Sequence, residues 1–182
     1  MRVLGMAERS FDLMVIRAKE RTAFGGAISD QGVVQDWIAE ARWHLEHARL
    51  LVLRTAWLPD TVGNRAARRD ISAIKVVAPN TALWVLDHAI RVYGGAGVAQ
   101  DTPLARMYAL AITLRIVDGP DEVHNMVGAR RETGRYRGRW WIVAVEAHRL
   151  PCGQLATSAA PNSSNSRSPL GTLIAHPVVL RV

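Results

Sequence analysis

Arg91-Val-Tyr-Gly-Gly-Ala-Gly-Val-Ala-Gln-Asp-Thr-Pro103, followed by Leu114-Arg-Ile-Val-Asp-Gly-Pro-Asp-Glu-Val-His124, decides how this chain is read. The first stretch is a glycine-rich helix end and the second a tight turn that carries an acid. Glycine adopts backbone conformations closed to residues with a Cβ, so Gly94, Gly95 and Gly97 let the chain leave a helix and pass close to a ligand. Asp118, next to Gly119 and Pro120, falls in a sharp turn between helices. A carboxylate there can be partly desolvated and still aimed, as a catalytic base must be. The plainer alternative is a pair of ordinary interhelical turns, and spacing alone favours it because glycine-rich helix ends are common.

Working outward, the flanks are helical. Leu4, Ala7, Phe11, Met14, Val15 and Ala18 recur at threes and fours and predict a helix over residues 3–20, broken by Gly25 and Gly26. Val34, Ile38, Ala41, Leu45, Ala48 and Val52 predict a second over 32–58, closed by Pro59 to Gly63. A third is predicted over 64–93 with Ala67, Ile71, Ile74, Ala78, Ala82, Val85, Ala89 and Val92 facing inward and a kink at Pro79. Pro103 opens a fourth, on which Leu104, Met107, Tyr108, Ala111 and Leu114 share a face, and Gly119-Pro120 restarts the chain for a last helix to about Glu132. The expected fold is all-α, an antiparallel helical bundle with short connections and essentially no strand.

After Glu132 the character changes. Residues 157–170 are dominated by Ser, Ala, Asn and Pro and cannot bury enough surface to order themselves, so 133–182 is expected to be an unrelated, disordered basic tail. The net charge of +7 would suggest nucleic acid if it were spread over the fold. Six arginines against Glu146 alone place +5 of it after Glu132 and leave +2 for residues 1–132, which removes the main support for a nucleic-acid partner. A single cysteine, Cys152, excludes an internal disulfide and a cysteine-built metal site. No apolar run approaches the roughly 20 residues that span a bilayer, and the first residues of this sequence show no basic region followed by an apolar core and a small-residue cleavage site.

Ile74-Lys-Val-Val-Ala-Pro79, Asp87-His-Ala-Ile-Arg-Val-Tyr-Gly-Gly-Ala-Gly-Val98 and Leu114 to His124 together resemble the C-terminal helical domain of acyl-CoA dehydrogenases. Gly5-Met-Ala-Glu-Arg9 and Glu20-Arg-Thr-Ala-Phe-Gly25 match the same domain in the same order, so the resemblance covers residues 1–132. It implies FAD-dependent α,β-dehydrogenation of an acyl-CoA thioester. A carboxylate takes a proton from the carbon alpha to the thioester while a hydride leaves the beta carbon for the flavin. Asp118 matches the catalytic carboxylate. Many members have Glu followed by Gly-Thr there, and Asp-Gly-Pro is similar to the branch that uses aspartate. Gly119 is implied to let the thioester approach the backbone. Electron-transfer flavoprotein or oxygen is the implied acceptor.

The same resemblance implies the cofactor contacts. Arg21 matches an arginine that reaches the FAD pyrophosphate of the neighbouring subunit, with Thr22 and Phe24 beside it. A guanidinium fork suits two phosphate oxygens, although a single Arg at a helix end is more often a solvated charge. Gln31 and Gly32 fall where the family approaches the flavin nucleotide again, Gly94 and Gly95 match paired glycines against the cofactor, and Pro120 and Glu122 fall beside its adenosine half. Arg91 stands where Gln is usual, a departure that weakens that contact. His44, His47 and His88 lack a third ligand at metal spacing and are read as solvated or core-edge groups, so no metal is expected. Trp37, Trp43, Trp57 and Trp84 fall on or beside apolar stripes and are read as core.

The family places an N-terminal helical domain and a β-domain before this bundle, and the chain starts at the bundle's first helix. The expectation is therefore a C-terminal fragment of an acyl-CoA dehydrogenase, inactive alone, that forms a homo-oligomer, a dimer or tetramer. The alternative is a non-catalytic helical dimerisation module. By resemblance the compartment would be mitochondrial or peroxisomal in a eukaryote and cytoplasmic in a bacterium.

Overall fold

The computed structural model describes residues 1–136. Six helices carry them: α1 (Arg2–Glu20), α2 (Gly32–Val62), α3 (Asn64–Tyr93), α4 (Gly95–Val98), α5 (Leu104–Ile116) and α6 (Asp121–Arg135). The bundle is all-α but for one device between α1 and α2. There Thr22–Ala23 (β1) and Gly26–Ala27 (β2) pair as a two-residue antiparallel hairpin, followed by a 3-10 turn over Ile28–Asp30. The expectation of no strand is corrected to that extent. Two-residue strands are too short to show an alternating pattern, and the turn Phe24-Gly25 has φ of 56° and 87°, the positive values that a tight hairpin turn takes at both central positions.

α3 is the hub, packing on α1, α2, α5 and α6. Its buried residues Ala78, Ala82, Val85, Leu86, Ala89 and Val92 follow helical spacing, and the alanines among them let neighbouring helices approach closely. Leu4, Ala7, Met14 and Ala18 of α1 and Val34, Ala41, Leu45, Ala48 and Val52 of α2 complete the core with Leu104 and Ala111 of α5. Removing these side chains from water is the main driving force for the bundle. Ser10 lies in the same core, and its hydroxyl donates to the Met6 carbonyl at 2.8 Å, which satisfies it there.

Three expectations about helices change. α2 does not close at Pro59 but runs through it to Val62, where Gly63, at φ 82°, turns the chain directly into α3. The stop is the glycine, because a proline near a helix end removes only one backbone bond. α3 has the expected bounds with buried Pro79 inside it, and the missing N–H leaves the Lys75 carbonyl without its intrahelical donor. α6 continues to Arg135, past Glu132. Ile71 is 41 % exposed rather than core. Arg69 joins α3 to α6 through Glu132 at 2.7 Å, and that hydrogen bond holds the Glu132 carboxyl below the usual range. The predicted tail from residue 137 on lies outside the described residues.

The tryptophans divide. Trp84 stacks on His88 with ring centroids 3.9 Å apart, and Trp37 meets the same imidazole edge-on, so this pair packs against the core as expected. Trp43 and Trp57, 62 % and 61 % exposed, do not. With Leu50 and Leu53, also exposed, they run along the outer face of α2 at spacings of three, four and seven. Core packing is therefore no explanation for them.

Candidate functional site

Asp118 stands in the turn between α5 and α6, at the mouth of an open cavity of about 500 Å³. Apolar side chains floor this cavity, among them Val52, Ile74, Ala78, Pro79, Leu114 and Val117. Lys75, His124 and Asp118 supply its polar groups, with Arg2 at the edge. An apolar hollow with a few convergent polar groups is the usual form of a small-molecule site.

The turn owes its shape to four residues. Val117 is extended after the last turn of α5, Asp118 has φ 58°, Gly119 has φ 102°, and Pro120 is extended before α6 begins. An aspartate tolerates the left-handed region better than most residues, and a non-glycine held there is often functional. Lys75 of α3 donates to the Leu114 carbonyl at 2.6 Å and to the Gly119 carbonyl at 3.4 Å. His124 of α6 places Nε2 3.3 Å from the Asp118 carbonyl. Main-chain groups around Asp118 are thus tied from two helices. Its carboxylate is exposed and, among the described residues, carries no hydrogen bond or ion pair.

Directly beneath the turn lies Asp121, buried at the start of α6. Its Oδ2 accepts from Arg115 Nε at 2.6 Å and from Asn80 Nδ2 at 3.1 Å, while Oδ1 is buried with no partner among the described residues. Burial pushes its carboxyl up, but the hydrogen bonds from Asn80 and Arg115, with the charges of Arg115 and Lys75, outweigh it and leave the group below the usual range. Asp121 therefore joins α3, α5 and α6 as a carboxylate, and fixes where α6 starts. Sequence reasoning missed Lys75, Asn80, Arg115, Asp121 and His124. Only Lys75, alone among apolar neighbours in Ile74-Lys-Val-Val-Ala, left a legible signal.

The other expected site residues fall in two further places. Pro120 and Glu122 lie on the opposite side of the turn, beside a smaller hollow that they share with Ile112, Arg115 and Ile116. Arg21, Phe24, Gln31 and Arg91 come together at the far end of α3, around a hollow of about 240 Å³. Thr22, Gly32, Gly94 and Gly95 belong to the same end by their places in β1, at the start of α2 and at the close of α3. Sixteen residues separate Lys75 from Arg91 along α3, so at 1.5 Å per residue this end lies about 24 Å from the Asp118 turn. Within one chain the two groups do not form one site.

At that end the donors are only partly engaged. Arg21 Nη1 donates to the Val92 carbonyl at 3.0 Å and lies against Gly94, which ends α3 at φ 66°. Arg91 pairs with Asp87 at 2.8 Å. A guanidinium has five N–H donors, so both retain several for a phosphate. Phe24, 94 % exposed on the hairpin tip, presents a bare ring face, and Gln31 stands half-buried at the N-terminal edge of α2. This chemistry suits the pyrophosphate and a ring of a dinucleotide. The hollow is below the roughly 300 Å³ at which drug-sized ligands are enclosed, so it has room for only a portion of such a molecule. The third glycine of the motif has a different use. A Cβ on buried Gly97 would lie 2.7 Å from the Ile90 carbonyl, so the space beside it is filled by α3 and not by a ligand.

Comparison with known proteins adds the family. The family model described as acyl-CoA dehydrogenase, C-terminal domain, matches residues 1–133. The Mycobacterium tuberculosis protein named "Probable acyl-CoA dehydrogenase FadE2" is 51% identical over 135 residues, which are 74% of this chain and 33% of that protein. The butyryl-CoA dehydrogenase structure from Megasphaera elsdenii superposes with a TM-score of 0.66 at 28% identity, covering 72% of this chain and 34% of that one. The FAD complex of PigA is similar at TM-score 0.68 and 28% identity, covering 73% and 34%. The chain spans about a third of the length of each.

Proposed function

The chain belongs to the acyl-CoA dehydrogenase family, and from that premise we propose that its bundle supplies the catalytic base and part of the flavin site of an FAD-dependent acyl-CoA dehydrogenase. The observation that carries this reading is the Asp118 turn. Its backbone is tied by Lys75 and His124, its carboxylate has no partner among the described residues, and it opens on an apolar cavity. Asp118 would take a proton from the carbon alpha to the thioester carbonyl. Bound FAD supplies the hydride acceptor for the beta carbon. The acyl chain and cofactor would exclude water from around the carboxylate.

Arg21 and Arg91 would hold phosphate oxygens of FAD, with Phe24 and Gln31 beside them and Gly94 and Gly95 admitting the cofactor close to the chain. The resemblance implies that the flavin Arg21 reaches is that of a neighbouring subunit, and the separation of about 24 Å along α3 between Lys75, beside Asp118, and Arg91 is compatible with that. The family resemblance likewise implies a homo-oligomer as the active species, with an electron-transfer flavoprotein or oxygen taking the electrons. The test is Asp118→Asn in the flavin-loaded protein, which should abolish bleaching of the flavin by acyl-CoA and leave the flavin bound. Undiminished bleaching removes the assignment.

A second reading, a helical association module without catalysis, draws support from the exposed stripe Trp43, Leu50, Leu53 and Trp57 on α2. Exposed apolar stripes of this kind mark contact surfaces. Leu50→Glu should convert an associated form to monomer in sedimentation, while an unchanged mass excludes the stripe as the contact.

A further inference from the structure

Lys75 is half-buried in α3, and its ammonium makes no ion pair among the described residues. Its fixed partners are carbonyl oxygens: Leu114 at 2.6 Å and, more weakly, Gly119 at 3.4 Å. The Leu114 carbonyl is one of the four that α5 leaves without an intrahelical donor, and a cation at a helix C-terminus also meets the negative end of its dipole. Gly119 lies on the other side of Asp118. The two carbonyls that Lys75 holds thus bracket Asp118, which sits at φ 58° between an extended residue and a glycine at φ 102°. Among the described residues nothing on the aspartate side chain itself secures that conformation, and the bond from His124 reaches only its carbonyl.

We propose that Lys75 is a positioning residue for Asp118: its ammonium clamps the backbone before and after the aspartate, holding the carboxylate over the cavity without touching it. A clamp made through the carboxylate would engage the oxygens a base needs, whereas one made through the main chain leaves them free. The proposal rests on the reading of Asp118 as the base. A small displacement of a reacting group carries a large penalty in rate, so the clamp bears on turnover more than on substrate binding.

Backbone 15N order parameters read the clamp without flavin or substrate. In the chain as it stands Asp118 and Gly119 should be as rigid as helix backbone, about 0.85, and Lys75→Met should lower both below about 0.6. Ala41, Leu45 and Ala89 in the core should not change. Lys75→Arg, which keeps donors at the end of a long stem, should restore rigidity. Should Lys75→Met unfold the bundle, Lys75→Gln gives the same reading with a shorter, polar end. In flavin-loaded protein Lys75→Met should slow flavin reduction by acyl-CoA about tenfold while half-saturation by substrate stays within about twofold. Unchanged order parameters overturn the proposal, and so does a loosened turn with undiminished reduction. If Asp118→Asn reduces flavin as fast as wild type, the base reading falls by itself, and the order parameters still decide whether Lys75 holds the turn.

Discussion

Asp121→Asn should destabilise the bundle by about 2 kcal/mol at neutral pH, because it removes charge from two hydrogen bonds in a buried place. Wild-type Oδ2 receives Arg115 Nε at 2.6 Å and Asn80 Nδ2 at 3.1 Å. A charged hydrogen bond contributes about 1.5 to 3 kcal/mol, and Arg115 is 41 % exposed, so solvent screening keeps the loss in the lower half of that range. An asparagine that keeps its oxygen toward Arg115 must put its NH2 where Oδ1 is buried without a partner, which adds a donor with nothing to meet. At about 2 to 4 °C per kcal/mol the melting temperature should fall by about 4 to 8 °C. The pH dependence is the sharper test. Because the folded Asp121 carboxyl lies below its unfolded value, the unfolded state binds more protons near that value, and stability rises with pH there. The contribution is full above about pH 3.9, the unfolded value, and is lost as pH falls through the folded one. Urea unfolding of both proteins at pH 7 and near pH 3 should show a deficit that shrinks in acid. A deficit equal at both pH values, or below about 0.5 kcal/mol at pH 7, refutes the reasoning.

Gly97→Ala should cost about 1 to 3 kcal/mol by overpacking, since its Cβ would lie 2.7 Å from a backbone oxygen and 2.9 Å from Ile90 Cα; an unchanged urea midpoint would show that α4 gives way freely. Arg21→Ala should weaken flavin retention by about 1.5 to 3 kcal/mol in an assembled oligomer, read as flavin fluorescence released on dilution. Equal retention returns Arg21 to capping the Val92 carbonyl at the end of α3.

What the sequence made legible was whatever repeats or punctuates. The stripe of α1 through Leu4, Ala7, Met14 and Ala18 follows from spacing alone, and Gly63 and Gly94 end helices because their positive φ suits glycine. Asp118 was legible for the same reason, as an acid among turn formers. Its supports were not. Asp121 reads as one of two acids in a first turn, and nothing in Asp-Glu reveals that the first is buried on Arg115 and Asn80 while the second is exposed. Contacts between residues far apart in the chain leave no local periodicity. Trp43 and Trp57 misled for the opposite reason: they have helical spacing, but the face they define is the outer one. The division of the expected cofactor contacts between the middle of α3 and its C-terminal end was likewise hidden, because motif order says nothing of distance.

The central claim is that Asp118 removes the proton alpha to the thioester. Exchange of that proton with deuterium from solvent, followed by mass spectrometry on an acyl-CoA held on the flavin-loaded protein, tests it without depending on the electron acceptor. Wild type should exchange the proton, and Asp118→Asn should lose at least about two orders of magnitude of that exchange with flavin still bound. Equal exchange in the two proteins would contradict it.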